Sequence, residues 1–273
     1  MNRVNEEERK KIQMSCLRGK LEMLIQPDSD NDTPLHICIA NKLMVQAVFL
    51  LERFIQENVD FDIPNRWGLT PLFVAVDLAK DPAMVTYLLE KGSNPNISMK
   101  KCGRSPLHVA AQGKQNCLPI VKALLKCETT NILARNDKGE TALHDAVRNH
   151  NVRRKLNEVS NEMSKVDSIP VVQQLLAHAN GQKLINEISN DNLSAFNIAM
   201  ESGEVSIELL KLLSRNGAEI SDTDKKMIKK YCPKFHTYET ICSVTNIGNL
   251  AAILVTIKLV NYIVTHDLSV FGA

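Results

Sequence analysis

Aromatic residues make up only 4% of the chain, and Trp67 is its single tryptophan. That leaves little material for base-stacking platforms or apolar ligand pockets. Charge of one sign is also missing: Lys+Arg of 33 against Asp+Glu of 31 gives a formal net charge of +2. Such a balance sets up no field to attract nucleic acid or anionic lipid, so direct nucleic-acid binding is not expected. The seven cysteines (Cys16, Cys38, Cys102, Cys117, Cys127, Cys232, Cys242) never form a CxxC pair, and no signal-peptide pattern opens the chain. Reduced thiols in the nucleus or cytoplasm, and no metal site, are the expectation. No P-loop glycine run, HExxH, GxSxG, dinucleotide fingerprint or kinase motif occurs, so no catalytic residue and no cofactor is expected. The one long apolar stretch, Val244 to Val264, is a poor membrane span. Lys258 within it would cost about 2.5–3.5 kcal/mol in a bilayer, and Asn246, Asn249 and Asn261 add to that, so a helical packing element is expected instead.

What is present is a recurring phrase: "DNDTPLHICIA" at Asp30, "RWGLTPLFVAV" at Arg66, "KCGRSPLHVAA" at Lys101, "DKGETALHDAV" at Asp137 and "NDNLSAFNIAM" at Asn190. Its hydroxyl positions, Thr33, Thr70, Ser105, Thr141 and Ser194, lie 37, 35, 36 and 53 residues apart. A hydroxyl there can accept from the free N–H groups of a helix's first turn, and Pro34, Pro71 and Pro106 occupy the next position, where a missing N–H costs nothing. Two residues before each hydroxyl stand Asn31, Gly68, Gly103, Gly139 and Asn192, residue types that tolerate a left-handed turn. A second apolar helix follows in each unit: "AVFLLERFI", "MVTYLLEKG", "IVKALLKC", "VVQQLLAHA" and "IELLKLLSRNG". A lone helix pair cannot bury its apolar face, so each unit needs its neighbours. His36, His108 and His144 share one repeat position. Rings about 10 Å apart along a stack cannot share an ion bound at about 2 Å, so each is expected to be a neutral imidazole tying cap to loop.

These motifs resemble ankyrin repeats, whose period is about 33 residues. The resemblance implies an all-α solenoid of stacked helix pairs with β-turn fingers, about five clear repeats and terminal capping helices. The expected organisation is N-terminal capping helices over 1–29 and a repeat domain over 30–220, with repeats near 30–64, 65–99, 100–135, 136–189 and 190–220. Residues 221–273 form a C-terminal capping and apolar helical tail. The fourth repeat carries an insertion over 148–169 in which Val152, Leu156, Val159, Met163 and Val166 predict a helix with one apolar stripe.

The turn tips vary while the scaffold positions repeat, and a binder stores specificity in such positions. Candidate partner-binding residues are Asp30, Asn31 and Asp32; Asn65, Arg66 and Trp67; Lys100, Lys101 and Arg104; Asn136, Asp137 and Lys138; and Asn190, Asp191 and Asn192. Trp67 beside an arginine is the candidate anchor.

A finer match rests on "DSDNDTPLHICIA" at Asp28, "VDFDIPNRWGLTPLFVAV" at Val59 and "NILARNDKGETALHDAVRNHN" at Asn131. These segments resemble the inhibitor-of-NF-κB (IκB) family, and the insertion resembles its nuclear, zeta-like branch. The resemblance implies a protein, monomeric on its own, that clasps the dimerised immunoglobulin-like domains of a Rel/NF-κB-type transcription factor and regulates transcription, in the nucleus or cytoplasm. It departs from the cytoplasmic inhibitors in lacking a paired-serine degron, since Ser29 stands alone, and in lacking an acidic Pro/Ser/Thr-rich tail. A generic ankyrin adaptor, attached to a membrane through the C-terminal stretch, is the alternative expectation.

Overall fold

A computed structural model describes residues 25–112, 117–160, 168–201 and 205–231. Residues 1–24 of the expected N-terminal cap over 1–29, and the Val244 to Val264 stretch, lie outside the described residues. Two units divide the chain, Met1–Ile198 and Ala199–Ala273.

In the first unit each phrase opens a helix as its residue types require. The first helices are α1 (Pro34–Ala40), α3 (Pro71–Val74), α5 (Pro106–Ala111) and α7 (Ala142–Ser160); the second helices are α2 (Met44–Gln56), α4 (Pro82–Glu90), α6 (Cys117–Lys126) and α8 (Ile169–Ala177). A short α9 (Gly181–Leu184) packs on α8, and α10 (Ala195–Met200) opens the fifth phrase. Like packs on like: α1 meets α3 and α5 meets α7 in an inner layer, while α4 meets α6 and α6 meets α8 in an outer one. That is the nearest-neighbour geometry of a solenoid. Leu35, Leu72, Leu107, Leu143 and Phe196, one per phrase, are fully or almost fully buried between the layers. Among the described residues no strand occurs, only an isolated bridge between Ile188 and Ser194. Nor is any helix among them long and apolar enough to cross a membrane.

Two elements depart from expectation. The insertion does not start a new helix: α7 runs unbroken from Ala142 to Ser160, because no glycine or proline stands in "ALHDAVRNHNVRRKLNEVS" to stop it. Val152, the first residue of the expected stripe, is half exposed; Met163 and Val166 lie outside the described residues. The other departure is in the second repeat, where α3 continues as a π-helical turn, Ala75–Ala79, ended by Lys80 at φ 50°. Asp81 then caps α4, its carboxylate accepting from the N–H groups of Ala83 and Met84 at 2.9 and 3.2 Å.

The second unit holds α11 (Ile207–Arg215) and α12 (Asp222–Tyr231). Ser206 caps α11, which buries Leu209, Leu210 and Leu213, and Gly217 follows at φ 89° as the left-handed terminator. Ser221 and Asp224 form a reciprocal cap at the start of α12: the carboxylate accepts from the Ser221 N–H at 2.9 Å, and the Asp224 N–H donates to the serine hydroxyl at 3.2 Å.

Candidate functional site: the finger ribbon

The fingers are built by one hydrogen-bonding device used repeatedly. In the second finger the Asn65 side-chain oxygen accepts from the N–H groups of Trp67 and Leu69, both at 3.0 Å. In the fourth, Asn136 accepts from Lys138 and Glu140 at 2.9 and 3.0 Å. In the first, Asp28 accepts from Asp30 and Asp32 at 2.8 and 2.9 Å. The left-handed residue of each turn is Asn31, Gly68, Gly103, Gly139 or Asn192, as its type allows.

Successive fingers are then tied by main-chain bonds. Arg66 N–H donates to the Asp30 carbonyl at 3.1 Å, Lys100 to Trp67 at 3.1 Å, Asp137 to Cys102 at 3.2 Å and Asn190 to Lys138 at 2.9 Å. Side chains of the next finger lie against the turn glycines, so tight packing as well as φ excludes a Cβ at Gly139, which would meet the Asn190 side chain at 2.3 Å. The tips therefore sit on a preorganised ribbon whose spacing is set by backbone hydrogen bonds.

The histidines link cap to ribbon. Thr33, Ser105 and Thr141 each donate a backbone N–H to the Nδ1 of His36, His108 and His144 at 3.1–3.2 Å. Nδ1 is thereby an acceptor, so Nε2 carries the proton and donates across to the next repeat: to the carbonyls of Leu69 (2.9 Å), Glu140 (3.0 Å) and Leu193 (3.1 Å). Burial, only partly offset by the backbone carbonyl to which each ring donates, holds all three imidazoles below their ordinary pKa. Where Phe73 takes this position, only the Thr70 half of the cap remains; where Asn197 does, its side-chain oxygen accepts from the Ser194 N–H at 2.9 Å.

The structure sorts the expected tip residues into two groups. Asp32, Asn65 and Asn136 are buried, and their polar atoms are engaged internally, Asn65 donating to Asp32 at 2.7 Å. Asn31, Arg66, Lys100, Lys101, Asp137, Lys138, Asn190, Asp191 and Asn192 are exposed, with Asp30, Trp67 and Arg104 part-buried. The Arg66 guanidinium lies over the Trp67 ring at 4.6 Å and pairs with Asp30 at 2.5 Å, which holds the indole in place. Charge changes along the ribbon: acidic at the first finger with Asp28 and Asp30, basic at the third with Lys100 and Lys101, acidic again at Asp191.

One constellation was missed in the sequence. Asp145 stands at a position filled by Ile37, Val74, Val109 and Ile198 in the other repeats. It is buried, and one carboxylate oxygen accepts from Arg104 at 2.8 Å while the other has no partner. Burial, only partly offset by Arg104, pushes its pKa up to about 6. Beside it Glu140 pairs with Arg148 at 2.6 Å. Burial raises that carboxyl too, but Arg148, Asn136 and Lys138 together outweigh it and leave it below the usual range. An acid in an otherwise aliphatic column was the signal that would have found it.

Stacked helix pairs joined by a hydrogen-bonded finger ribbon define an ankyrin-repeat scaffold, a fold that binds proteins and is typically without chemistry of its own. The family model for ankyrin repeats (3 copies) matches residues 12–99 and 79–162, and the chain belongs to that family. Among curated proteins it is similar to the ANK repeat-containing protein nipk-1 of Caenorhabditis elegans, 36% identical over 169 residues, covering 59% of this chain and 26% of that protein. It is also similar to the human B-cell lymphoma 3 protein, 27% identical over 225 residues, covering 75% of this chain and 48% of that one. The chain thus spans from about a quarter to about half of these relatives' lengths. Among solved structures it resembles the ankyrin repeat domain of Bcl-3, described as a unique member of the IkappaB protein family. That match has a TM-score of 0.44 and 28% identity, and it covers 70% of this chain and 89% of the other.

Proposed function

We propose that this protein is an IκB-like ankyrin scaffold that binds Rel/NF-κB-type transcription factors and regulates transcription, acting in the nucleus or cytoplasm. The observation that carries the docking surface is the ribbon itself, with exposed, variable, charged tips held at fixed spacing by main-chain bonds from finger to finger. Preorganised tips lose little freedom on binding, which is where such an interface gains affinity. The choice of a Rel partner rests on the acidic first-repeat phrase at Asp28 and on the similarity to the human B-cell lymphoma 3 protein. In this reading the exposed tips make the contacts, Trp67 is the anchor, and Asp32, Asn65 and Asn136 shape the turns that present them. The repeats near 30–64, 65–99, 100–135, 136–189 and 190–220 form the binding domain.

A purified Rel-homology dimer titrated against the immobilised protein tests this directly. Saturable binding at or below micromolar concentration is expected, and its absence there refutes the proposal. A Trp67→Ala variant should weaken binding about tenfold or more, the loss typical of a buried aromatic anchor.

A further inference from the structure

Outside the fingers, the outer layer holds an open groove of about 660 Å³ between α4 and α6, with Ala83, Thr86 and Leu89 on one wall and Ala123 on the other. None of its lining residues belongs to a finger. The neighbouring crevice shows why it is open. Between α2 and α4, Tyr87 reaches across and donates its hydroxyl to Glu52, Lys91 pairs with the same carboxylate at 2.6 Å, and the ammonium lies 5.3 Å from the Tyr87 ring. One aromatic and one cation, four residues apart on a helix, fill that space and satisfy that acid.

The repeat register transfers this arrangement one unit along. Glu52 follows the pair Leu50–Leu51, and Glu90 follows Leu88–Leu89. The third repeat, aligned on Leu124–Leu125, puts Ala123 where Tyr87 stands and Cys127 where Lys91 stands. The groove thus has the acid of the filled crevice, Glu90, on its rim, and lacks both groups that cover its counterpart. Glu90 forms no ion pair among the described residues, and the neighbouring Lys91, which feels its charge, is already paired with Glu52.

We propose that this groove is a second docking site, and that its occupant is a helix of a partner protein presenting an aromatic residue and, four positions later, a lysine or arginine. The aromatic ring lies over Ala123 and the cation meets Glu90, reproducing with a partner what Tyr87 and Lys91 do within the chain. Positions i and i+4 share one helix face, so one short segment delivers both groups. Lys122 and Lys126 also line the groove; they disfavour further basic residues on that flank of the occupant.

Two changes in the full chain test this against a labelled, side-chain-stapled 14-residue helical peptide carrying Tyr and Lys at i and i+4. Controls replace Tyr with Ala, or Lys with Glu. Fluorescence polarisation is expected to show saturable binding of the Tyr–Lys peptide at least tenfold tighter than either control. The double variant Ala123→Tyr/Cys127→Lys should fill the groove from within, abolish that binding and leave the melting temperature equal or higher. Glu90→Gln should weaken the Tyr–Lys peptide severalfold while leaving the Lys-to-Glu control unchanged. The inference is overturned if the Tyr–Lys peptide binds no better than the controls, if the Lys-to-Glu peptide binds best, or if Glu90→Gln has no effect. It is also overturned if sedimentation shows that the groove mediates self-association, seen as a dimer that Ala123→Tyr/Cys127→Lys dissolves. Because Trp67→Ala leaves this groove intact, failure here and failure of the Rel reading are separable.

Discussion

A single proton decides what each repeat histidine does. Nδ1 accepts from a cap N–H and Nε2–H donates to the next repeat, so protonating Nδ1 breaks the cap. The native pKa values of His36, His108 and His144 lie below the unfolded value, so the unfolded chain takes up protons first. Their stabilising contribution is therefore complete above about pH 6.5 and declines as pH falls below it. Asp145 works in the opposite sense: with a native pKa near 6 against an unfolded value of 3.8, it costs stability when ionised, and that cost is relieved as pH falls through 6. Thermal unfolding should accordingly show a melting temperature that drops between pH 7 and 5, with a steeper drop in Asp145→Asn; parallel profiles would contradict the assignment of Asp145. His144→Ala leaves a cap N–H and the Leu193 carbonyl without their partner and should cost about 2–3 kcal/mol in chemical denaturation. At Gly139, with φ 70° and Asn190 against the turn, a valine meets both backbone strain and a clash, and a loss of about 2 kcal/mol or more is expected. Equal stabilities of that variant and the parent would remove the argument.

Helix starts were legible in the sequence and helix lengths were not. A start is signalled locally, by a hydroxyl, a proline and an Asn or Gly two residues upstream of the hydroxyl, and the structure places a helix after each of the five phrases. Thr70 illustrates the signal, its hydroxyl accepting from the Phe73 N–H at 3.2 Å. Thr70→Ala should destabilise by about 1 kcal/mol in urea unfolding, more than an exposed substitution does. The length of α7 carries no such local mark: the apolar spacing of the insertion predicts a separate helix, whereas the described part of it, as far as Ser160, continues the helix before it, because no breaker stands between them. The π-helical turn at Ala75–Ala79 has no composition cue either, since it depends on how Lys80 and Asp81 redirect the chain into α4. Asp145 was hidden for a related reason: its place in the register is visible only when the repeats are compared column by column, and its partner Arg104 belongs to another repeat.

At the scale of the whole molecule, periodicity does most of the explaining. Helix pairs that cannot bury their own apolar faces are held by their neighbours, and the same stacking brings the finger turns into backbone contact. The tip residues were recognisable as a class because they vary where the frame repeats. Which of them reach solvent was not, because an asparagine that closes a turn and one that faces a partner are the same letter. The exposed tips, rather than the outer helices, are expected to meet the Rel-type partner. Hydrogen–deuterium exchange with and without a Rel-homology dimer measures this most directly. Slowed exchange at residues 30–32, 66–69, 100–104 and 137–140, with 82–90 and 117–126 unchanged, is the predicted result. Protection confined to the outer helices, or none at saturating dimer, would contradict it.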